Sequence, residues 1–595
     1  MSRHHRHLLR VACTVLFTLS VLVACHRAPG ESTPATAQQA TSTADTGATE
    51  ATVPTSTPQQ EAGPTQTAQV GSFEGVALTG FTTSHFAGSG ECAFCHDGLV
   101  DSTGQDVSIG SHWRSTIMAN GAKDPLWLAK VLSETKRNPA IQEVTEEKCA
   151  TCHMPMAYTQ AKSEDAGSRI LGDGFLGTDH ALNEAAMDGV SCTLCHQIQE
   201  TGLGEPATFS GGYAIDTSTV RPDRLIYGPY PDPLTPQMQM HVGYTPVEGP
   251  HVRESELCAT CHTLYTPYLD AEGNVAGEFP EQVPYLEWKN SVYHEDTSCQ
   301  GCHMPTAQGG VVISTIPRGR VIQPREPFSQ HHFVGGNTFV IGILQAFGPE
   351  LGLTAGTVHL EDTLARTTER LEQQTAQTSI RGAQVADGRL VATLQVSSMA
   401  GHKLPTGFPS RRAWLHIVVT SGDGQVVFES GQPMDDGTIA GNDADRDATA
   451  YEPHYDRIVD PEQVQIYESV MQNTDGQVTY TLLRGASYIK DNRILPSGFD
   501  KAAAGEDSAV YGAAAEDETF AGGTDELTLD IDLGEHSGPY TLSVRLLYQS
   551  VSYRFNADLC QDGGDLIERW CGYYDAAAGA YVILAEAQET LGGRY

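Results

Sequence analysis

Ten of the fourteen cysteines fall into five copies of one pattern, in which two cysteines separated by two residues are followed at once by a histidine. The copies are Cys92/Cys95/His96, Cys149/Cys152/His153, Cys192/Cys195/His196, Cys258/Cys261/His262 and Cys299/Cys302/His303. Two thiols at this spacing can add to the two vinyl groups of one haem, and the adjoining histidine can bind its iron. The motifs therefore predict five covalently bound haem c groups, each with a proximal histidine.

Zinc sites and redox-active dithiols also use Cys-x-x-Cys pairs, so they are the alternatives for this pattern. Neither requires a histidine directly after the second cysteine, whereas all five pairs have one. Haem attachment is therefore favoured over both alternatives.

The second axial ligand of each iron must come from outside the motifs, because a motif supplies one histidine only. His112 precedes a tryptophan suited to packing on a porphyrin, His332 precedes a glycine-rich stretch and His402 lies in a Gly-His-Lys-Leu-Pro-Thr-Gly loop. His251 and His294 lie shortly before the fourth and fifth motifs. These five histidines are the predicted distal ligands. His331 stands beside His332 before the same stretch, His180 and His241 are reserves, and Met118, Met238 and Met240 could also bind an iron.

Several short segments resemble bacterial multihaem cytochromes of the cytochrome c-552/c-554-like group. They are His112-Trp113, Cys-Ala-Thr-Cys-His (twice), Cys-Gln-Gly-Cys-His-Met-Pro and the loop at 401–407. The resemblance covers residues from about 85 to 420, and it implies an electron carrier whose haems have two histidine ligands. Hydroxylamine oxidoreductase and pentahaem nitrite reductase are enzymes related to this group. The Cys-x-x-Cys-Lys motif usual in such nitrite reductases is absent from this sequence, and the hydroxylamine enzymes carry more than five haems.

Two functions remain open at this stage. If all haems have two protein ligands, the chain is an electron-transfer relay, more an electron carrier than a stand-alone enzyme. If one haem has an open face, the chain is an oxidoreductase for a small nitrogen or sulfur compound, similar to hydroxylamine oxidoreductase. The expected partners are other redox proteins or an external electron acceptor. A net charge of −38 excludes nucleic acid, because the phosphates would be repelled.

The N-terminal segment predicts export, since haem c is attached outside the cytoplasm. Residues 1–24 combine three early arginines with a short apolar run, which is typical of a signal peptide. The run ends in Leu-Val-Ala-Cys, which resembles a lipobox and predicts a lipid anchor on Cys25. An ordinary signal peptide with an incidental cysteine is the alternative. We expect a membrane-anchored lipoprotein that faces the periplasm or the cell exterior.

The elements that must position the haems follow a disordered tether, which we predict for residues 25–75 from their Ala, Thr, Ser, Pro and Gln content. Residues 76–335 are predicted to form a pentahaem cytochrome domain of helices and irregular chain with little regular secondary structure, because the macrocycles replace much of the side-chain core. Each motif is expected in a helical turn, and another short helix is expected around 124–137.

The rest of the chain has a different pattern. Residues 336–379 are predicted to form a helical connector, with leucines on one face. Residues 380–595 are predicted to form an all-β, sandwich-like domain, because apolar and polar residues alternate in several segments. The predicted strands are 390–396, 414–419, 426–429, 527–533 and 540–547, with a hairpin turn at 422–424. Cys560 and Cys571 are expected to form a disulfide.

Overall fold

A computed structural model describes residues 72–316 and 321–592 of the chain. The predicted signal peptide, the Cys25 anchor and all but the last residues of the predicted tether lie outside these described ranges. No helix within the described ranges is both long and apolar enough to cross a membrane.

The predicted haem domain (76–335), called the haem region below, has more regular structure than predicted. A helical turn accompanies every motif, and further helices brace those turns. Its helices are α1 (Ser89–His96), α2 (Ile109–Trp113), α3 (Pro125–Arg137), α4 (Gln142–His153), α5 (Pro155–Ser163), α6 (Asn183–Met187), α7 (Cys192–Cys195), α8 (Thr235–His241), α9 (Ser255–His262), α10 (Pro284–Lys289) and α11 (Cys299–His303). Its strands are β1 (Leu225–Gly228), β2 (Thr245–Glu248), β3 (Leu264–Leu269) and β4 (Val275–Gln282). The β1–β2 pair is parallel and the β3–β4 pair is antiparallel.

Two local predictions for this region are confirmed. All five Cys-x-x-Cys pairs lie in helical turns, in α1, α4, α7, α9 and α11. The helix expected around 124–137 is α3, and the Asp124 side chain caps it by accepting hydrogen bonds from the backbone N–H groups of Leu126 and Trp127. Pro125 at the first helical position adds a preformed backbone angle.

The connector is helical as predicted, although it ends earlier than expected. It contains α12 (Thr338–Phe347) and α13 (Thr357–Gln374), and a strand begins at Ala376. Leu360 and Leu371 are buried on the inner face of α13, whose opposite face is charged.

The remaining residues form two larger sheets with a few added helices. The strands are β5 (Ala376–Ala386), β6 (Arg389–Ser398), β7 (Arg412–Thr420), β8 (Val426–Ser430), β9 (Arg457–Ile458), β10 (Ile466–Gln472), β11 (Ser487–Asp491), β12 (Thr524–Asp532), β13 (Tyr540–Gln549) and β14 (Val582–Leu591). The helices are α14 (Asp443–Arg446), α15 (Tyr553–Leu559) and α16 (Asp565–Ala577). One sheet has the order β11-β10-β7-β13-β14, with β8 paired to β7, and the other has the order β5-β6-β12-β9.

The two larger sheets share one hydrophobic core. Leu394 and Leu529 come from one sheet, and Ile417 and Val544 from the other, and all four are buried in the same cluster. The five predicted strands are confirmed as β6, β7, β8, β12 and β13, and the predicted hairpin joins β7 to β8. The helices α14–α16 and the early start of β5 differ from the all-β domain expected over 380–595.

The haem region and the region of the two larger sheets (376–591), called the β region below, belong to one compact unit. Helix α3 packs against α16, and Arg137 at its end forms ion pairs of 2.8 Å with Asp558 and 2.7 Å with Asp562. One turn before the end of α3, Glu134 accepts a hydrogen bond of 2.6 Å from the backbone N–H of Leu482. The predicted boundaries therefore divide the chain by composition rather than into separately packed bodies.

The predicted disulfide is present between Cys560 and Cys571, which are 11 residues apart. We expect Cys571→Ser to lower the free energy of unfolding by about 2 to 3 kcal/mol, because the reduced chain gains entropy when unfolded. Urea titration monitored by the circular dichroism of the sheets would measure this change. In the presence of a reductant the wild type should approach the variant; identical stability of the two proteins under oxidising conditions would contradict the prediction.

Candidate functional site

The fold brings all five motifs to one place. All ten motif cysteines and all five motif histidines line a single cavity of about 1140 Å³, although the motifs span residues 92–303 of the sequence. No motif cysteine forms a disulfide within the described ranges. The arrangement can therefore present five thiol pairs and five imidazoles to groups bound inside one continuous space.

The motifs do not follow each other in space as they do along the chain. The Cys92 thiol lies within hydrogen-bonding reach of Cys192, so the first motif adjoins the third. The Cys152 thiol adjoins Cys261 and the Cys258 thiol adjoins Cys299, so the fourth motif contacts both the second and the fifth. The Cys195 thiol of the third motif adds to the field at Cys258. The fourth motif is therefore the central one.

The motif histidines are held in the tautomer that metal binding needs. The Nδ1 atoms of four of them contact backbone carbonyl oxygens, in the pairs His96–Ile313 (2.6 Å), His153–Gly121 (3.1 Å), His196–Tyr227 (2.6 Å) and His303–Val334 (2.5 Å). A carbonyl can only accept, so Nδ1 donates and the Nε2 lone pair is left for a ligand. His262 has no such partner within the described ranges.

Burial keeps these imidazoles neutral. Desolvation lowers the pKa of His153 and His303 to about 4, and it also lowers the pKa of His96, His196 and His262. Neutral imidazole is the form that binds a metal ion. The donor set, its tautomers and the adjoining thiols therefore fit haem c.

Two further histidines face motif histidines across the cavity. The ring centres of His303 and His402 are 6.3 Å apart with an interplanar angle of 13°, and those of His196 and His331 are 6.4 Å apart with an angle of 26°. An imidazole nitrogen lies about 2 Å from a metal ion that it binds and its ring centre about 1 Å further, so two rings on opposite faces of one iron have centres about 6 Å apart. Both pairs have this spacing.

The other predicted distal ligands do not line the cavity. His112 and His332 lie edge to face with ring centres only 4.4 Å apart, which is too close for an iron between them. The Nε2 of His251 contacts the carbonyl oxygen of Ile198 at 2.9 Å, and its buried Nδ1 has no partner. The Nδ1 of His294 contacts the carbonyl oxygen of Ser291 at 2.7 Å, so its Nε2 is the nitrogen available to a ligand.

Sequence reasoning selected His332, whereas the structure directs its neighbour His331 into the cavity. The tandem pair before Phe333 indicated the right segment. Adjacent residues in extended chain point to opposite sides, so the choice between them depends on the packing of that segment.

The loop that carries His402 is held by a carboxylate from the haem region. Glu287 of α10 accepts hydrogen bonds from the backbone N–H of Lys403 (3.1 Å) and from the Thr406 hydroxyl (2.5 Å). Arg493 forms an ion pair with the same carboxylate at 2.9 Å. The His402 Nδ1 contacts the carbonyl oxygen of Lys403 at 3.0 Å, which leaves Nε2 free. These contacts aim the His402 ring at the fifth motif.

The same loop is anchored on its other side by buried ion pairs. The Lys403 ammonium, which is fully buried, lies 2.7 Å from Asp491, and Arg493 lies 2.7 Å from the same aspartate. Each buried charge thus has an opposite charge, and removal of one partner would leave the other unpaired. The β region therefore positions a side chain at the cavity of the haem region.

A separate cluster of His454, Asp517 and Asp525 has the composition of a metal site. The hydrogen bonds of His454 argue against metal binding by this cluster. The Asn492 amide nitrogen donates to the Ile466 carbonyl at 2.8 Å and also faces the His454 Nδ1 at 3.1 Å, so Nδ1 accepts. The proton is then on Nε2, which points at Asp517 at 3.1 Å and has no lone pair for a metal ion.

No protein-family model matches this chain, and no curated protein matches it. Among solved structures, a penta-heme cytochrome c552 from Thermochromatium tepidum is similar, with 15% sequence identity and a TM-score of 0.45. The match covers 81% of this chain and 95% of that chain.

Proposed function

We propose that the chain is an exported c-type cytochrome that relays electrons through five covalently bound haems. The observation that carries this proposal is the convergence of five Cys-x-x-Cys-His motifs on one cavity, with four of the histidines held in the ligand tautomer. Bound haem supplies one-electron chemistry at each iron.

In this proposal each motif provides two thioether bonds and one proximal imidazole. His402 binds the iron held by His303, and His331 takes the place of His332 as the ligand opposite His196, on the ring spacings given above. His112, His251 and His294 remain candidates for the other haems. Two histidine ligands on an iron favour electron transfer over substrate binding.

The proposal places the protein outside the cytoplasm, attached to a membrane by lipid on Cys25. Its partners are then redox proteins or an external acceptor. The net charge of −38 favours partners with basic docking surfaces and opposes nucleic acid.

Cys25→Ser removes the predicted site of the lipid anchor, so it should release the protein from the membrane fraction without changing its haem content. Retention of the variant in that fraction would contradict lipid anchoring.

A second candidate function has one observation in its favour. His96, His153 and His262 have no opposing imidazole at the two-ligand spacing within the described ranges. An iron with an open face can bind a small nitrogen or sulfur compound, which would make the protein an oxidoreductase.

Haem content and spin state together test both functions. The relay predicts five haems per chain by the pyridine haemochrome assay and only low-spin ferric signals in low-temperature electron paramagnetic resonance. A high-spin signal from one haem in five would favour the oxidoreductase. Fewer than five covalent haems in the wild-type protein would overturn the proposed haem assignment.

Glu281 of β4 is a buried carboxyl beside the second motif. It accepts a hydrogen bond of 2.6 Å from the Thr266 hydroxyl, and its charge adds to the field at Cys149. Burial raises the pKa of Glu281 to about 7; the Glu134 charge also raises it, and those of Lys130 and Lys148 lower it. This carboxyl therefore changes charge close to neutral pH.

We expect the midpoint potential of one haem to fall as pH rises through about 7, because ionised Glu281 disfavours the added electron. Glu281→Gln should keep the low-pH potential throughout. Spectroelectrochemical titrations at about pH 6 and about pH 8 would measure this. Glu278→Gln, an exposed position on the same strand, is the control. An unchanged pH dependence in Glu281→Gln would rule out this carboxyl as the source.

A further inference from the structure

The cavity is lined by six lysines and arginines, five of which have no carboxylate partner within the described ranges. Lys130 forms an ion pair with Glu134 at 2.9 Å. The other five are Lys148, Arg253, Arg325, Arg370 and Arg411. Each of them instead donates to a backbone carbonyl oxygen.

These five cations lie in a chain that is rich in carboxylates. Acidic residues outnumber basic ones by 74 to 36, so carboxylates are abundant. Some buried cations elsewhere, such as Lys403, Arg412 and Arg493, have carboxylate partners, whereas buried Lys123 and Arg224 have no ion pair within the described ranges. The half-buried Arg370 and Arg411 therefore place positive charge along the cavity that no carboxylate of the described residues offsets, and a bound anionic group would offset it.

Two of the five cations act on motif histidines. Arg370 of α13 donates to the carbonyl oxygen of Cys302 at 2.5 Å, and its charge adds to the field at His303. Arg411 donates to the carbonyl oxygen of Thr406 at 2.6 Å, and its charge adds to the field at His262. A guanidinium has five N–H donors, so each of these arginines keeps donors for an anion in the cavity.

We propose that Arg370 and Arg411 bind the carboxylate side arms of the haems held by the fifth and fourth motifs. This inference rests on the proposed function, because the carboxylates belong to the bound macrocycles. The planar guanidinium fork matches a carboxylate and can bind both of its oxygens. Lys148, Arg253 and Arg325 provide the same charge for the remaining haems.

The pairing has a measurable electrochemical consequence. A nearby arginine keeps a carboxylate ionised and offsets its charge, which favours the reduced haem. Without the arginine the carboxylate pKa rises towards neutrality, and the uncompensated anion opposes reduction at higher pH. Loss of the cation should therefore lower the potential of one haem and make it depend on pH.

The test uses the haem-loaded full chain with Arg370→Gln and, separately, Arg411→Gln. We expect each variant to keep five haems, to show one midpoint potential below the wild-type value, and to acquire a pH dependence in that potential between about pH 6 and about pH 8. Arg370→Lys keeps the charge and should stay close to the wild type. Arg381→Gln removes an arginine paired with Glu526, outside the cavity lining, and should leave every potential unchanged.

Each outcome decides for or against the proposal. Five haems with unchanged potentials and pH profiles in both glutamine variants would overturn it. A shift of the wild-type potentials on addition of sulfate, absent in the variants, would assign the arginines to a free anion and would also overturn it. If Arg370→Gln loses one haem and Arg370→Lys keeps all five, the pairing is supported. Fewer than five haems in the wild type would instead refute the proposed function.

Discussion

Replacement of His402 by alanine is expected to convert one of the five haems from low spin to high spin, which is about one fifth of the ferric iron. The reason is the geometry opposite the fifth motif. The rings of His402 and His303 are nearly parallel, with centres 6.3 Å apart, and both imidazoles have Nδ1 engaged by a backbone carbonyl. Loss of one ring leaves the iron with a single strong protein ligand.

Low-temperature electron paramagnetic resonance of the oxidised protein measures this conversion. His416→Ala is the matched control, because this histidine also lies in the β region but pairs with Glu429 at 2.9 Å. An unchanged spectrum for His402→Ala would exclude His402 as a ligand.

The same measurement distinguishes His331 from His332 as a candidate ligand. We expect a high-spin signal from His331→Ala and none from His332→Ala.

Removal of the fourth haem is expected to interrupt electron transfer more severely than removal of the second. The fourth motif contacts the second and the fifth, and the charge of Cys195 in the third motif acts on Cys258, whereas the first motif contacts the third. Electron transfer between haems requires close approach of their edges, so the double variant Cys258→Ser/Cys261→Ser should separate the first and third haems from the second and fifth.

Stopped-flow reduction, with the absorbance of all haems followed in time, would detect this separation as a slow second phase that accounts for about half of the haem, because two of the four remaining haems are cut off. The matched variant Cys149→Ser/Cys152→Ser also lacks one haem, and we expect it to be reduced without a slow phase. Mass spectrometry should find four haems in each variant. Equal kinetics in the two variants would contradict the central position of the fourth motif.

The parts of the structure that could be predicted are those determined within a few residues. A helical turn places Cys149, Cys152 and His153 together whatever the remainder of the chain does, and Asp124 followed by Pro125 marks the start of α3 by capping alone. The alternation of apolar and polar residues in 540–547 indicated a strand, because one face of β13 is buried.

Other features depend on contacts between distant segments. Glu287 is an unremarkable glutamate in the sequence, yet it holds the loop of Lys403 more than a hundred residues away. The five cavity cations are ordinary residues in the sequence, and only the fold shows that none of them pairs with a carboxylate of the described residues. The regular structure of the haem region was underestimated, because the helices that brace the motif turns carry no sequence pattern as strong as the motifs themselves.

The sequence by itself predicted the chemistry of attachment, because two thiols and an imidazole act within one helical turn and need no distant partner. It also indicated the strands and the disulfide, which arise from local alternation and from nearby cysteines. Only the tertiary structure decided which histidine faces which motif, which motif is central and which cations line the cavity. Those properties are distances between residues far apart in the chain, and they are set by the packing of the whole molecule.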